Sequence, residues 1–484
     1  MRICIIAEGS YPYVTGGVSS WIHEIITQMS EHEFVIYSIA AQRSQKGIFK
    51  YKLPDNVVEM KETFLDAYLT EKGDWGKRFK LTEQHRQNFM KLLGDHGDIE
   101  WDDLFTLLRN RQFKQVSDFL ASKDFFDILE KLCHDRYPLV PFTEMFWTVR
   151  SMILPLFLTI RDELPQADLY HSVSTGYAGI VGAVAKHVNN KPFILTEHGI
   201  YSREREEEII KADWVKGYFK DMWIQYFYRL STCAYENADR VTTLFGRNKE
   251  IEIELGCDGK KIEIIPNGVE FKNYMGLDQT KPSNQIYIGA IIRVVPIKDI
   301  KTMIQSFALI KEEVPNAVFF IMGSYEEDEE YYEECLQLVK ALKVKDVKFT
   351  GAVNIKDYIG KMDVLMLTSI SEGQPLAILE GMAAGKPFVA TNVGSCKELL
   401  EGLDDGIGPA GFVTPVMHYE LLAQATIKLC VNAKLRTEMG QNALRRVQLH
   451  YKQEEVISNY RRLYFDFGGD LNGRDRVRAA QTLS

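Results

Sequence analysis

Two carboxylates with seven residues between them, Glu372 and Glu380, lie in a stretch that is otherwise mostly apolar. The stretch follows an apolar run at 364–368, which predicts a strand that ends at the ligand-binding edge of a parallel sheet. Pro375 suits the first turn of a helix, and the amides of that turn attract anions. The two carboxylates can therefore bind hydroxyl groups at both ends of an elongated ligand while the amides bind its anionic middle. An acidic helix start without a ligand is the alternative, but it does not account for Glu380.

Two cations follow another apolar run, at 286–291, just before a second helical pattern. Arg293 and Lys298 are thus expected at the carboxyl edge of the same parallel sheet. A guanidinium and an ammonium that converge there can neutralise a diphosphate without a metal ion. Two solvated surface cations are the simpler alternative, and the carboxylates that follow the 364–368 strand favour the binding interpretation.

The first half offers a glycine pair and a histidine. Gly16 and Gly17 separate the opening strand from a helix, so a ligand can approach the backbone closely there. The G-x-G-x-x-G pattern is absent, so a dinucleotide site is not supported. His198 follows the strand predicted at 193–196. A single histidine after a strand is more often structural, and the pattern alone does not assign it to a site.

The elements that position these residues alternate between short strands and helices, which is typical of α/β proteins with parallel sheets. We expect two doubly wound, Rossmann-like domains that face a cleft, at 1–275 and 284–450, joined near 266–284. A helical insertion is expected at about 44–165, as a lid, a partner surface or structural filler. Candidate strands lie at 3–7, 34–40, 168–173, 193–196, 240–244, 262–265, 286–291, 318–322, 347–350, 364–368, 388–391 and 411–413.

Composition excludes several classes of protein. The 484 residues carry 58 Lys and Arg against 67 Asp and Glu, so no basic surplus is available to bind nucleic acid. Membrane spans need about 20 mostly apolar residues, and we expect none here. The seven cysteines are scattered without C-x-x-C spacing, which disfavours disulfide frameworks and zinc sites and indicates a reducing cytoplasm.

The Glu372-x7-Glu380 stretch, with Gly-Met-Ala-Ala-Gly-Lys-Pro after it, resembles the signature of glycosyltransferase family 4. The similarity covers the second half and the outer parts of the first. This resemblance implies a GT-B fold and retaining transfer from a UDP-sugar donor to a saccharide acceptor. By the same resemblance, Glu380 binds the ribose and Glu372 the transferred sugar, Arg293 and Lys298 hold the diphosphate, and His198 contacts the donor sugar. The further donor-binding positions that it implies are Gly16, Gly17, Val353, Gln374 and Leu376.

Two longer strings, at 11–21 and 196–201, resemble the PelF subgroup of that family. The subgroup implies a cytoplasmic enzyme that polymerises the Pel biofilm exopolysaccharide beside inner-membrane Pel components. Residues 451–484 are then expected to form a helix that crosses back to the first domain, followed by a frayed tail.

The expected chemistry needs neither a metal nor a cofactor. No Asp-x-Asp occurs in the chain, which disfavours metal-dependent sugar-nucleotide chemistry. A two-step retaining route needs a carboxylate nucleophile, and no residue is a convincing candidate. A front-face route needs only charge stabilisation, which Arg293, Lys298 and the helix dipoles can supply. A sugar-nucleotide 2-epimerase and a non-catalytic donor-binding scaffold remain as alternatives.

Overall fold

The computed structural model describes residues 1–66, 76–94, 97–110, 112–282, 284–402 and 404–468. Within those ranges the chain forms two compact units. Unit 1 comprises Met1–Thr243, Lys249–Ile264 and the residues from Tyr460 onward, and unit 2 comprises Leu244–Asn248 and Ile265–Asn459. The chain passes from one unit to the other within the last helix. The tail expected to fray, from Gly469 to Ser484, lies outside the described residues.

A sheet of seven parallel strands forms the centre of unit 1, in the spatial order β3-β2-β1-β4-β5-β6-β7. The interior strand β1 (Arg2–Glu8) is buried from Ile3 to Ala7, as expected where helices cover both faces. The strand order reverses between β1 and β4, the position at which open sheets bind ligands. The strands are β1 (Arg2–Glu8), β2 (Glu33–Ala40), β3 (Val57–Phe64), β4 (Leu169–Ser172), β5 (Phe193–Glu197), β6 (Arg240–Thr243) and β7 (Ile262–Ile264).

Unit 2 contains a second parallel sheet, with six strands in the order β10-β9-β8-β11-β12-β13. This is the Rossmann order, and its reversal lies between β8 and β11. The strands are β8 (Ile286–Ile291), β9 (Ala317–Met322), β10 (Val347–Gly351), β11 (Val364–Leu367), β12 (Phe388–Thr391) and β13 (Gly411–Thr414).

The helices of unit 1 cover both faces of its sheet and form the insertion. In α1, for example, Trp21, Ile22, Ile25 and Ile26 are buried on one face, as an amphipathic pattern predicts. The helices are α1 (Gly17–Gln28), α2 (Glu83–Leu92), α3 (Trp101–Leu108), α4 (Val116–Leu120), α5 (Lys123–Arg136), α6 (Phe142–Arg161), α7 (Tyr177–Asn189), α8 (Tyr201–Lys211), α9 (Gly217–Asn237) and α10 (Gly246–Glu254). The first three residues of α10 group with unit 2.

The helices of unit 2 alternate with its strands, as βαβ units require. Three-residue and four-residue 3₁₀ turns occur at Pro296–Lys298 and Phe271–Tyr274. The helices are α11 (Ile300–Glu313), α12 (Glu329–Ala341), α13 (Lys356–Ile359), α14 (Leu376–Ala383), α15 (Cys396–Glu401), α16 (Tyr419–Val431), α17 (Ala433–His450) and α18 (Gln453–Phe467).

The expected α/β architecture of two doubly wound sheets is confirmed, and all twelve candidate strands are present with ends within one residue. The expected start of the helical insertion at about 44 was wrong, because strand β3 lies inside that range. The charged residues of this strand, Glu59, Lys61 and Glu62, interrupt the apolar run from which a strand would be predicted. Charged side chains are common on edge strands, where one side of the strand faces water, and β3 is the edge of its sheet. The inserted helices are therefore α2 to α6.

Candidate active site

A cavity of about 310 Å³ opens in unit 2 where the strand order reverses. The ends of β8 and β11 contribute Ile291 and Leu367 to its wall, and the start of α14 contributes Leu376 and Ala377. The sequence predicts a site at this sheet edge, and the cavity is lined by four of the predicted residues: Arg293, Lys298, Glu372 and Leu376. The first amides of a helix lack partners within the helix, so the start of α14 adds free amides to the cations and the carboxylate of this cavity.

An ion pair between Lys298 and Glu372 lies in this cavity. The Nζ atom of Lys298 is 2.5 Å from Oε1 of Glu372, and the two side chains are only 17% and 13% exposed. The hydroxyl of Ser369 donates a further hydrogen bond of 2.5 Å to the same oxygen. Thr368, at the end of β11, donates to the backbone carbonyl of Lys298 at 2.9 Å. These contacts hold a cation and a carboxylate in fixed positions before any ligand binds.

A glycine that the sequence analysis did not identify positions the Glu372 loop. Gly394 follows β12, and its φ of 51° lies in the left-handed region. A Cβ atom there would lie 2.1 Å from the carbonyl oxygen of Gly373 and 2.3 Å from that of Glu372. The next amide, from Ser395, donates to the Gly373 carbonyl at 2.9 Å. Only glycine allows this approach, which fixes the backbone beside the carboxylate.

Arg293 is less constrained than Lys298. It lines the cavity, but 56% of its side chain is exposed and its guanidinium forms an ion pair with Glu327. Glu327 is itself about half exposed. A phosphate group can replace this exposed partner at low cost, because surface ion pairs contribute little free energy.

Glu380 lies on α14 outside the lining of the cavity, next to a tyrosine that the sequence analysis missed. Burial raises the pKa of its carboxyl, while a hydrogen bond from Tyr274 and the charge of Lys356 oppose that rise. Burial also raises the pKa of Tyr274, as does its contact with Glu380. Tyr274 comes from the 3₁₀ turn that precedes the sheet of unit 2, so no local pattern connects it with α14.

Gln374 and Val353 occupy supporting positions in this structure. The Gln374 side chain is buried, and its Oε1 accepts a hydrogen bond of 2.5 Å from the backbone N–H of Asn267. Its Nε2 has no hydrogen-bond partner among the described residues. Val353 packs on the core of unit 2, two residues before Ile355, which lines the cavity. Their predicted contacts with a donor stay predictions.

In unit 1, the glycine pair forms an exposed helix start. Gly16 precedes α1 with an extended backbone, and no side-chain oxygen caps the helix. A Cβ atom on Gly16 or Gly17 would meet nothing within 4 Å. The fold of unit 1 therefore does not itself require glycine at these two positions, and the amides are open to a ligand.

His198 lies against Trp21 of α1, with ring centroids 4.8 Å apart. Burial lowers its pKa to about 4, so the ring is neutral near pH 7. Its Nε2 is buried without a hydrogen-bond partner among the described residues. Buried polar atoms nearly always have partners, so this nitrogen is available to a ligand.

The second histidine of this region, His171, has a structural environment. Its Nδ1 lies 2.7 Å from the hydroxyl of Tyr464 and its Nε2 lies 2.7 Å from that of Thr196. Burial lowers its pKa to about 3. Because both ring nitrogens are occupied, His171 joins α18 to the sheet of unit 1 and is not free to bind a ligand.

Within the part of the chain that the structure describes, no cluster of three or more His, Cys, Asp or Glu side chains has the arrangement of a metal site. None of the described helices combines the length and the apolar character that a membrane span requires.

Two family models match the chain. The model described as a domain of unknown function, DUF3492, matches residues 1–260, which is more than half of the chain. The model described as glycosyl transferases group 1 matches residues 278–446, the range that contains the cavity of unit 2.

Characterised relatives share about a quarter of their residues with this chain. The N-acetyl-alpha-D-glucosaminyl L-malate synthase of Bacillus anthracis is 27% identical over 249 residues, which are 49% of this chain and 63% of that protein, less than two thirds of its length. A galactosyltransferase of Escherichia coli, UDP-Gal:alpha-D-GlcNAc-diphosphoundecaprenol alpha-1,3-galactosyltransferase, is 24% identical over 75% of this chain and 95% of its own.

Solved structures show the same fold at lower identity. HepE of Anabaena, solved in complex with UDP, has a TM-score of 0.60 and 15% identity over 96% of this chain and 100% of its own. Sucrose-phosphate synthase of Thermosynechococcus elongatus has a TM-score of 0.61 and 14% identity over 96% of this chain and 98% of its own. The chain thus belongs to the family of the DUF3492 domain, its residues 278–446 match the group 1 glycosyltransferases, and its fold is the GT-B fold of these solved structures.

Proposed function

We propose that this protein transfers a hexosyl or N-acetylhexosaminyl unit from a UDP-sugar to a growing polysaccharide, with retention at the anomeric carbon and without a metal ion. The observation that carries the proposal is the cavity of unit 2, in which the Lys298–Glu372 pair and Arg293 meet the start of α14. Cations and free backbone amides bind a diphosphate, and a carboxylate accepts hydrogen bonds from the hydroxyl groups of a sugar.

The relatives support a UDP-linked donor. The Escherichia coli relative is named for UDP-Gal as its donor, and HepE was solved with UDP. The resemblance to the PelF subgroup extends the proposal to the Pel exopolysaccharide. By the same resemblance, we propose that the enzyme acts in the cytoplasm, beside a polysaccharide-synthesis complex of the inner membrane.

The residues have distinct roles in this proposal. Lys298 and Arg293 bind the diphosphate and stabilise the charge that develops on the leaving phosphate, the largest single contribution in reactions of this kind. Glu372 binds hydroxyl groups of the transferred sugar. The leaving phosphate oxygen takes the proton of the acceptor hydroxyl as that hydroxyl attacks from the same face. The bond to the phosphate breaks while the new glycosidic bond forms, and UDP leaves.

Substitutions of Glu380 and Glu372 should distinguish binding of the nucleotide from binding of the sugar. Glu380→Ala should weaken the affinity for UDP itself by about 10–100-fold, because a carboxylate–hydroxyl bond to the ribose is lost. Glu372→Ala should leave UDP affinity closer to wild type and mainly reduce the preference for UDP-sugar over UDP. Calorimetric titration of both ligands measures this difference. Glu401→Ala, an exposed residue of α15, is the control, and unchanged UDP affinity in both variants would refute the two assignments.

His198 should affect turnover more than nucleotide binding. His198→Ala removes the unpartnered Nε2 that we assign to the donor sugar, so kcat should fall by at least about tenfold while the Kd for UDP changes little. His134→Ala, whose side chain is 88% exposed, is the matched control. An equal loss in both quantities would place His198 at the nucleotide, and no loss in either would leave it with a structural role.

The proposed function is tested by titrating UDP-sugars that carry glucose, N-acetylglucosamine or N-acetylgalactosamine, with and without EDTA. One of them should bind equally in EDTA, and UDP should be released only when a saccharide acceptor is present. A strict need for magnesium would contradict the metal-independent proposal. Epimerised product without acceptor would identify an epimerase, and binding without turnover under every condition would identify a scaffold.

A further inference from the structure

A second cavity, of about 520 Å³, lies in unit 1 between α6 and the start of α9. Its volume is in the range of small-molecule sites, about 300–1,000 Å³. Three of its lining residues are tryptophans: Trp147 from α6, Trp214 from the turn before α9, and Trp223 from α9. None of the residues assigned to the donor lies in its wall.

One of the three tryptophans is buried, and the other two are exposed. Trp223 is buried, and its ring meets Trp214 edge to face at 5.7 Å between centroids. Trp147 and Trp214 are 59% and 70% exposed, and exposed apolar side chains that cluster in one cavity are typical of an interaction site. Arg150 lies 5.5 Å from the ring of Trp147, a cation–π contact that holds the indole in place.

Polar groups line the same cavity. Thr143, Thr148 and Ser151 recur at helical spacing on the face of α6 that carries Trp147. Glu144, on the same helix, forms an ion pair of 2.7 Å with Lys216, and the hydroxyl of Tyr218 donates to its other oxygen. The ion pair connects α6 to the turn before α9 and leaves the cavity without net charge.

We propose that this tryptophan cavity binds a neutral saccharide chain, the acceptor or product of the transfer reaction. The C–H face of a pyranose ring fits the electron-rich face of an indole, and its hydroxyl groups need hydroxyl and ionic partners such as those of α6. A docked protein helix would instead lay an apolar face into a hydrophobic groove, whereas half of the ten lining residues are hydroxyl-bearing or charged: Thr143, Glu144, Thr148, Ser151 and Lys216. The identification of the saccharide with the acceptor rests on the proposed function, whereas its binding does not.

The test is a titration without any donor. Hexamers of glucose, N-acetylglucosamine and N-acetylgalactosamine are added to the full-length protein, and tryptophan fluorescence and calorimetry are recorded. At least one hexamer should bind, and Trp147→Ala or Trp214→Ala should weaken its binding by about tenfold or more. Leu139→Ala, at a side chain that is 95% exposed and outside the cavity, should bind as wild type does. Thermal unfolding of each variant shows whether it is folded.

Three outcomes would overturn the proposal. The first is that no hexamer binds, and the second is that binding is the same in both tryptophan variants. The third is a change in sedimentation of the variants without a change in saccharide binding, which would identify a protein interface. Failure of transfer by the wild type would refute the proposed function and leave the hexamer titration unaffected.

Discussion

Replacing Lys298 by alanine should reduce kcat/KM for transfer by about 10²–10³, the loss typical of removing one preorganised group that stabilises transition-state charge. Lys298 is largely buried in the cavity of unit 2 and lies 2.5 Å from Glu372. The substitution therefore removes the cation at the diphosphate and also leaves Glu372 without its partner. Steady-state kinetics with the preferred UDP-sugar measure the loss.

The control for this variant is Lys301→Ala. Lys301 follows closely in the chain, is 42% exposed and pairs with Glu334 outside the cavity. It should keep wild-type activity. If Lys298→Ala kept more than about half of the wild-type kcat/KM while it remained folded, Lys298 would not be the diphosphate ligand.

Glu252→Gln should stabilise the protein at alkaline pH, the second large effect. Glu252 is fully buried on α10, and its carboxylate oxygens have no partner with good hydrogen-bond geometry among the described residues, although the hydroxyl of Thr243 lies near enough to oppose the rise of its pKa. Burial raises its pKa, as does the charge of the buried Glu197. Glu197, by contrast, accepts hydrogen bonds from the hydroxyls of Thr175 and Tyr235 and the amide of Tyr201. Glu252 is therefore the carboxyl of this pair that stays protonated in the folded protein.

The sign of the effect follows from proton linkage. The unfolded carboxyl releases its proton near its ordinary pKa of 4.5, while the folded one keeps it to higher pH. Between these values the folded state binds more protons, so the free energy of unfolding falls as pH rises. Each pKa unit corresponds to about 1.4 kcal/mol, which makes the loss several kcal/mol for a group shifted by several units.

Glutamine keeps the shape of the protonated acid and cannot ionise. The Tm of wild type should therefore fall between about pH 6 and pH 9, and the Tm of Glu252→Gln should exceed it by about 5 °C or more at the upper end. Glu250→Gln, at an exposed position of the same helix, should follow wild type. A Glu252→Gln curve parallel to that of wild type would show that Glu252 ionises normally in the folded state.

Much of the fold could be predicted from sequence because buried parallel strands are short, nearly continuous apolar runs bounded by turn-forming residues. The Ile286–Ile291 and Phe388–Thr391 strands begin and end at the predicted residues. Strand β3 was missed because its charged side chains belong to an edge, and the edge position is a property of the sheet rather than of the local sequence.

The residues of the candidate site likewise include some that the sequence predicts and some that only tertiary packing reveals. Lys298 and Glu372 lie at the ends of neighbouring strands, so the sheet-edge rule brings them together, and the structure places them in contact. Tyr274 and Gly394 could not be predicted, because each reaches the site through tertiary packing. The resemblance of the Glu372-x7-Glu380 stretch to a glycosyltransferase signature agrees with the group 1 match of residues 278–446, while family 4 and the PelF subgroup stay predictions.

The most direct test of the account is transfer of labelled sugar from its UDP-linked form to a saccharide acceptor by the purified protein in EDTA. The product's anomeric configuration is read by NMR, and the Lys298→Ala variant is run beside the wild type. We predict label in the acceptor, with the configuration of the donor retained, and almost none with the variant. Label released only as free sugar, an inverted linkage, or equal transfer by the variant would contradict the account.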